Sequence, residues 1–388
     1  MKRSLWLLLL FAMAVLCGAA PALFAQEKQL PAQPRRYKPR SAVFPLKNAK
    51  ALLPQIMTQS ASGSTVPLWS YSLVSPFDNK SYSGQMVGRS PLFHGQRTTT
   101  VKTYLVPVIL TFADTGIVFD PTTNDACLGS SVLSTVQNSP IFQTTDYIMN
   151  GVDVGSAQYI DAFQRANFWT NVSVAGNSYH TVLGLTTLPA VKVTVPVANG
   201  QTNLGIFCGF FGNMDINWWD NYVQTTLIPS LASKGVGPTN LPLFLFDSVV
   251  EYLNGDPNQC CVFGYHNSYT PNGVLQTYSI SNFDTTATFG GDIGTLSHEV
   301  GEWMDDPLTT NPTPAWGNTG QVSGCQNNLE VGDPLSGTLF PSVTMNNFTY
   351  NPQELAFFSW FYRQAPSIGA GGAYSNNSTF TSGAATCP

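Results

Sequence analysis

His298-Glu299-Val300-Gly301-Glu302 sets an imidazole and a carboxylate four residues apart, with a second carboxylate next to the imidazole. On a helix, residues four apart lie one turn above each other, so His298 and Glu302 can reach one ion, through a ring nitrogen and a carboxylate oxygen. Glu299 projects beside them, where it can take a proton from a metal-bound water. This is the working arrangement of a His-Glu-x-x-His zinc site with the second imidazole replaced by a carboxylate. The replacement adds negative charge and makes a bound water less acidic, so the pattern speaks more directly for metal binding than for catalysis.

The chain contains four His and six Glu, which makes the pattern rare: chance supplies it about 0.001 times. Asp292, Glu299, Glu302, Asp305 and Asp306 also crowd five carboxylates into fifteen residues of a chain that is only 10% charged. Such charges repel unless a cation coordinates them. The competing reading is a solvated polar face. A third ligand must come from elsewhere, and Glu330 in Asn327-Asn328-Leu329-Glu330-Val331-Gly332-Asp333-Pro334 is the first candidate, with Asp333 second. A turn with exposed acids is the alternative there.

The elements that must position these groups follow from periodicity. Residues 292–307 read as a helix capped by Asp292 or Thr295 and stopped by Pro307. Leu296, Val300, Trp303 and Met304 share one stripe and His298, Glu302, Asp305 and Asp306 the opposite one. Gly301 inside it costs about 1 kcal/mol relative to Ala, so either a neighbour packs closely there or the helix merely tolerates it. Strands are expected at 103–112, 191–195, 241–246 and 259–266. Helical spacing appears at Tyr159, Ile160, Phe163 and Phe168 and again from Trp218 to Leu231. Strands alternating with helices place the chain in the α/β class.

The N-terminus reads as an export signal over residues 1–25: Lys2 and Arg3, an apolar run from Leu5 to Leu16, then small residues up to Ala25. A membrane anchor is the competing reading. With the signal removed, no membrane association is expected. Residues 26–95, rich in Pro, Ser and Gln, read as a largely irregular linker or pro-segment with one strand around Pro67 to Val74. Residues 96–388 read as a single domain. Beyond Lys50, eight basic side chains stand against twenty-one acidic ones, which argues against nucleic acid as a partner. Once Cys17 leaves with the signal, six cysteines remain, enough for three disulfides in an exported chain. Cys260 and Cys261, being adjacent, are expected to bond to different partners.

The run Ser297-His298-Glu299-Val300-Gly301-Glu302-Trp303-Met304-Asp305-Asp306-Pro307, with Glu330-Val331-Gly332-Asp333 downstream, resembles the His-Glu-x-x-Glu pattern of the phosphate-induced, exordium-type secreted proteins. Similar patterns occur in related bacterial secreted proteins. The resemblance covers roughly residues 240 to 365 and takes in Leu241 to Phe246, Gly264-Tyr265-His266 and Phe357-Phe358-Ser359-Trp360-Phe361. It departs at Gly301, where that family usually has Ala. It implies a zincin-like mixed sheet with an active-site helix, His298, Glu302 and Glu330 as zinc ligands, and Glu299 as general base.

Two functions fit these residues. One is a secreted zinc-dependent hydrolase, most simply a metallopeptidase acting on a peptide or protein, with His266 or Tyr265 assisting the transition state. The other is a non-catalytic secreted or cell-surface protein in which a metal pins helix to loop and a glycan or protein is bound.

Overall fold

The β-branched and apolar run around Leu105 forms the centre of the molecule. The computed structural model describes residues 39–93, 95–289 and 291–387. Within them lie helix α1 (Ala49–Ala61) and strands β1 (Leu68–Val74), β2 (Ser81–Val87), β3 (Thr99–Phe112) and β4 (Val118–Phe119). Helix α2 (Tyr159–Asn167) precedes β5 (Thr181–Thr187) and β6 (Val191–Val195). Helix α3 (Ile216–Tyr222) continues through a π-helical turn (Val223–Leu227) into Ile228–Leu231. The later part comprises β7 (Leu241–Asp247), β8 (Val249–Tyr252), β9 (Cys260–Val262), β10 (Gly264–Tyr269), β11 (Gln276–Phe283), α4 (Gly294–Asp305), β12 (Pro312–Thr319) and β13 (Val322–Asn328).

The main sheet is mixed. Thr103 to Leu105 of β3 pair in parallel with β7 on one side and β5 on the other, and Val108 to Phe112 pair in parallel with β6. Strand β11 runs parallel to β7, and β10 closes that edge antiparallel to β11. Every residue of β7 and β11 is buried, as expected of strands covered on both faces. A smaller four-stranded sheet ends in β8 and β9, and β9 runs through Phe263 directly into β10. The run 259–266, expected as one strand, is thus two short ones that serve different sheets.

Helix α4 packs against β10, β11 and β2. Leu296, Val300, Trp303 and Met304 enter a core shared with Tyr71, Met86, Phe163 and Phe361. At Gly301 the close-packing alternative holds, since a Cβ there would lie 2.8 Å from the Leu355 side chain. The N-terminal cap differs from expectation. The residue before the helix is Ile293, with no side-chain cap, and Asp292 instead accepts hydrogen bonds from the Asn351 backbone and side chain. The helix ends at Asp305, in keeping with the stop expected at Pro307: Asp306, the residue before the proline, leaves the helical region at φ −139°, ψ 68°, and its carboxylate accepts from the amides of Thr310 and Asn311, each at 2.9 Å.

The segment expected to be largely irregular is mostly ordered from Pro39 onward. Leu68 to Val74 pair antiparallel with Val87 to Ser81, and Trp69, Tyr71, Met86 and Val87 enter the main core. The strand expected around Pro67 to Val74 is thus β1, while the composition concealed its partner β2. The expected signal over 1–25 lies outside the described residues, among which no helix is long and apolar enough to cross a membrane.

Six cysteines form three disulfides, Cys127–Cys208, Cys260–Cys261 and Cys325–Cys387. The adjacent pair therefore bonds to itself, with Cα atoms 3.0 Å apart across a cis peptide bond, and the expectation of separate partners is overturned. Mass mapping of the unreduced protein should link Cys127 to Cys208 and Cys325 to Cys387. It should also find the peptide carrying Cys260 and Cys261 two hydrogens lighter than its reduced form. A cross-link from either of that pair to a third cysteine would contradict this pairing.

Candidate metal centre

A face of carboxylates on a helix needs water or a partner, and α4 offers it no water. His298, Glu299, Glu302, Asp305 and Asp306 are all buried, so the reading of a solvated polar face fails. Strand β10 closes over the helix because position 264 is glycine; a Cβ there would stand 2.7 Å from Thr295 and 3.1 Å from Glu299. The 329–333 loop closes from the other side, where a Cβ on Gly332 would lie 2.5 Å from the His298 ring. Alternation along β10 points His266 at the helix and Tyr265 away from it.

The His298 Nε2 lies 3.1 Å from Glu302 Oε1, 3.5 Å from Asp333 Oδ1 and 3.9 Å from Glu299 Oε1. Donors at 2.0–2.2 Å from a tetrahedral ion stand roughly 3.3 to 3.6 Å apart, and this set is close to that spacing. His298, Glu302 and Asp333 form one group whose donor atoms all lie within 4.8 Å of one another; His266, Glu299 and Glu302 form a second. A buried cluster of His and carboxylate side chains that could hold a metal ion is therefore present. Glu330, the first candidate for third ligand, enters from the His266 side, 4.0 Å from its Nε2, while Asp333 takes the place beside His298. The 3₁₀ turn Asp333–Leu335 that begins there accounts for the exchange, since it holds Asp333 toward the helix.

Hydrogen bonds fix which ring nitrogens face the carboxylates. Gln353 donates through Nε2 to the Gly332 carbonyl at 2.7 Å, which leaves its Oε1 to accept from His298 Nδ1 at 3.2 Å. His266 Nε2 donates to the Asp306 carbonyl at 3.0 Å. Each imidazole thus spends one N–H on a neutral acceptor and turns its other nitrogen inward, as metal-binding histidines do. His266 Nδ1 sits 3.6 Å from Glu299 Oε2 and 3.7 Å from Glu302 Oε2. Glu302 Oε1 also accepts the backbone N–H groups of Gly332 and Asp333, both at 3.1 Å. Glu330 accepts from Asn328 through Oε1, but its buried Oε2 has no partner.

Among the described residues no Lys or Arg pairs with any of these acids; the one such ion pair, Lys80–Asp78, lies elsewhere. Burial pushes the Glu299 carboxyl up to about 7 against the pull of His298, and burial, with the Glu302 charge adding to it, pushes Asp305 and Asp306 to about 7 against their hydrogen bonds. Glu302 is raised by burial, and Glu330 is raised well above the usual range by burial and by Glu302. Burial would lower His298, but Glu302 and Glu299 outweigh it and raise the imidazole well above its ordinary value. For His266 burial prevails and the value falls.

Tyr265 does not belong to the site. It packs on the far side of β10 against Phe44, ring centroids 5.0 Å apart, and burial raises its hydroxyl well above the ordinary value. Sequence reasoning missed Gln353 and Gly332 as supports of His298. Gly332 stood within the motif, but its role depends on a contact thirty-four positions away; no local signal marks Gln353. Matched against models of protein families, against curated proteins and against solved structures, the chain finds no counterpart.

The raised carboxyls give a pH dependence whose sign follows from proton linkage. Glu299, Asp305 and Asp306 bind protons more tightly folded than unfolded, so their stabilisation is full below their ordinary values and is lost as pH rises through about 7. His298, also raised, acts in the same sense; His266, lowered, acts in the opposite one. The melting temperature of chelator-treated protein should therefore fall between about pH 5 and pH 8. Saturating zinc should flatten the fall, because an ion that displaces protons binds more tightly as pH rises. A metal-free melting temperature that is constant or rising over that interval would contradict the assignment.

Proposed function

We propose that this chain is an exported zinc-dependent hydrolase of metallopeptidase type, with a zincin-like arrangement of sheet and active-site helix. The observation that carries the reading is the convergence of His298 Nε2, Glu302 Oε1 and Asp333 Oδ1 without a cationic side chain, with the Glu299 carboxylate beside them. Burial and the outward-facing hydrogen bonds of both imidazoles fit a divalent cation. Nitrogen and oxygen donors of this number suit zinc. Zinc, when bound, would polarise a carbonyl and acidify a water.

The chain's own groups then have distinct tasks. His298, Glu302 and Asp333 hold the ion, and Gln353 fixes the His298 ring. Glu299, poised about neutral pH by burial, takes the proton from the attacking water and returns it to the leaving amine. His266 Nδ1, 3.6 Å from Glu299 Oε2, is the acceptor that orients the Glu299 carboxyl once it holds that proton, since the ring's own N–H is held by the Asp306 carbonyl. Three disulfides and the acidic body are compatible with an extracellular setting, as is the resemblance to exordium-type secreted proteins. The second reading, a metal-pinned binding protein, draws on the same ligands and leaves Glu299 without a task.

Elemental analysis and peptide cleavage, measured on wild type and on Glu299→Gln, separate the two. The enzyme reading expects about one zinc per chain in both proteins and a loss of cleavage on the order of a hundredfold or more in the variant. Gln353→Ala should weaken zinc binding by about ten- to a hundredfold, as loss of a ligand's orienting partner does. Zinc retained in both proteins with no cleavage in either would favour the binding protein. No metal in either would end both readings.

A further inference from the structure

Residues 39–46 cross the candidate centre without regular secondary structure. Ser41, Ala42 and Val43 wall a cavity of about 10 Å³ that also contains His266, Glu302, Glu330 and Asp333. That volume suits a single water or ion. Pro39 and Arg40 border the adjoining cavity of about 120 Å³, which reaches His298 and Glu299. The segment follows the free edge made by β9 and β10, each of which ends its sheet. The Arg40 backbone N–H donates to the Cys261 carbonyl at 2.9 Å, as an added strand would, and Arg40 Nε donates to the Cys260 carbonyl at 2.9 Å. Ser41 Oγ donates to Asp333 Oδ2 at 3.0 Å, which places a hydroxyl against a candidate metal ligand. Phe44 lies on Tyr265, its carbonyl accepts from Thr309 Oγ1 at 2.5 Å, and Leu46 N–H donates to the Leu308 carbonyl at 3.1 Å.

The composition of this segment sets it apart from a structural component of the centre. A strand evolved to complete a pool of buried carboxylates would bring a cation into it. This one brings Ser41, Ala42 and Val43, and its one cation, Arg40, turns to the Cys260 carbonyl instead and remains exposed. Val43 and Pro45 are exposed as well, and the segment is held down by Ala42 and Phe44 on the cluster around Tyr265 and by Leu46, buried beside Leu308.

We propose that the groove along the β9–β10 edge is a docking surface for an extended polypeptide, and that residues 39–46 are its built-in occupant, which closes the centre until it is displaced. The inference rests on the acidic pocket being the working site, but its test reads accessibility alone and needs neither zinc nor hydrolysis.

The test is carbethoxylation by diethylpyrocarbonate of chelator-treated full chain, followed by mass spectrometry. His180, whose side chain is 31% exposed, reports equal reagent in every sample. In wild type His266 should stay unlabelled. In Arg40→Ala/Phe44→Ala, which removes a side-chain hydrogen bond and a ring contact from the segment, His266 should label about tenfold faster or more, as local opening permits. A synthetic peptide of the sequence 39–46 should restore protection, and a scrambled peptide should not. The single variant Arg40→Ala, altered at an exposed position, should show a smaller increase in the same direction and covers the case in which the double variant fails to fold. His266 that labels in wild type, or stays protected in folded variants, would overturn the proposal. Protection unaffected by the peptide would overturn the docking surface.

Discussion

Four carboxylates and two imidazoles meet in a space from which water is almost excluded, and no lysine or arginine joins them among the described residues. An uncompensated buried charge costs several kcal/mol after relaxation, so this cluster has to be neutralised by protons or by an ion from outside. The surrounding side chains do not supply the compensation. Gln321 and Gln326 donate to Asp333, and Asn328 donates to Glu330. These are neutral amides. At Glu330 the amide occupies Oε1 and leaves Oε2 without a partner; at Asp333 Gln321 donates to Oδ1, the oxygen that also faces His298, and Gln326 to Oδ2, so these amides orient the carboxylates without neutralising them.

That constraint accounts for much of the architecture. An ordinary surface helix turns its charges to solvent; α4 is enclosed by β10 and β11, by β2, and by the loop that carries Glu330 and Asp333. Glycine at 264 and 332 lets the two covers approach to contact distance. The β12–β13 hairpin then supplies two of the three amides from its second strand and the third from its turn, since Gln326 and Asn328 lie in β13 and Gln321 precedes it. The mixed sheet behind them supplies the rigid edge on which His266 is mounted.

Elements governed by local pattern were legible in the sequence. Val191 to Val195 and Leu241 to Phe246 are strands because β-branched and apolar side chains fill positions buried by neighbours. Residues 294–305 are a helix because Leu296, Val300, Trp303 and Met304 repeat at its period. The spacing of His298 and Glu302 likewise held enough to bring them together. What depended on distant contacts was not legible. Whether Glu330 or Asp333 faces His298 is decided by a 3₁₀ turn, and the strand alternation that turns Tyr265 away depends on which face of β10 the helix covers. The second strand of the hairpin, Ser81 to Val87, was hidden by its composition although the first was expected, and Ser41 reaches Asp333 across 292 positions, a pairing no periodicity encodes.

Glu302 stands where a His-Glu-x-x-His motif has its second imidazole, and the structure gives a reason for the difference. Its Oε1 faces His298 Nε2 and accepts two backbone N–H groups, from Gly332 and Asp333, while Oε2 faces His266 Nδ1. A carboxylate has two oxygens and about four lone-pair sites for such a set; a neutral imidazole has a single acceptor nitrogen. With histidine at 302, the ring could turn that nitrogen to an ion or to one amide, and the other amide would be buried without a partner at a cost of about 1–3 kcal/mol. The loop at 330–333 is therefore docked on the same side chain that is a candidate ligand, and it is this docking that delivers Asp333 to the cluster. Carboxylate at 302 and carboxylate at 333 follow from one another. The additional negative charge they bring to the site is the consequence of building it from a helix and a loop whose amides must be satisfied at the same point.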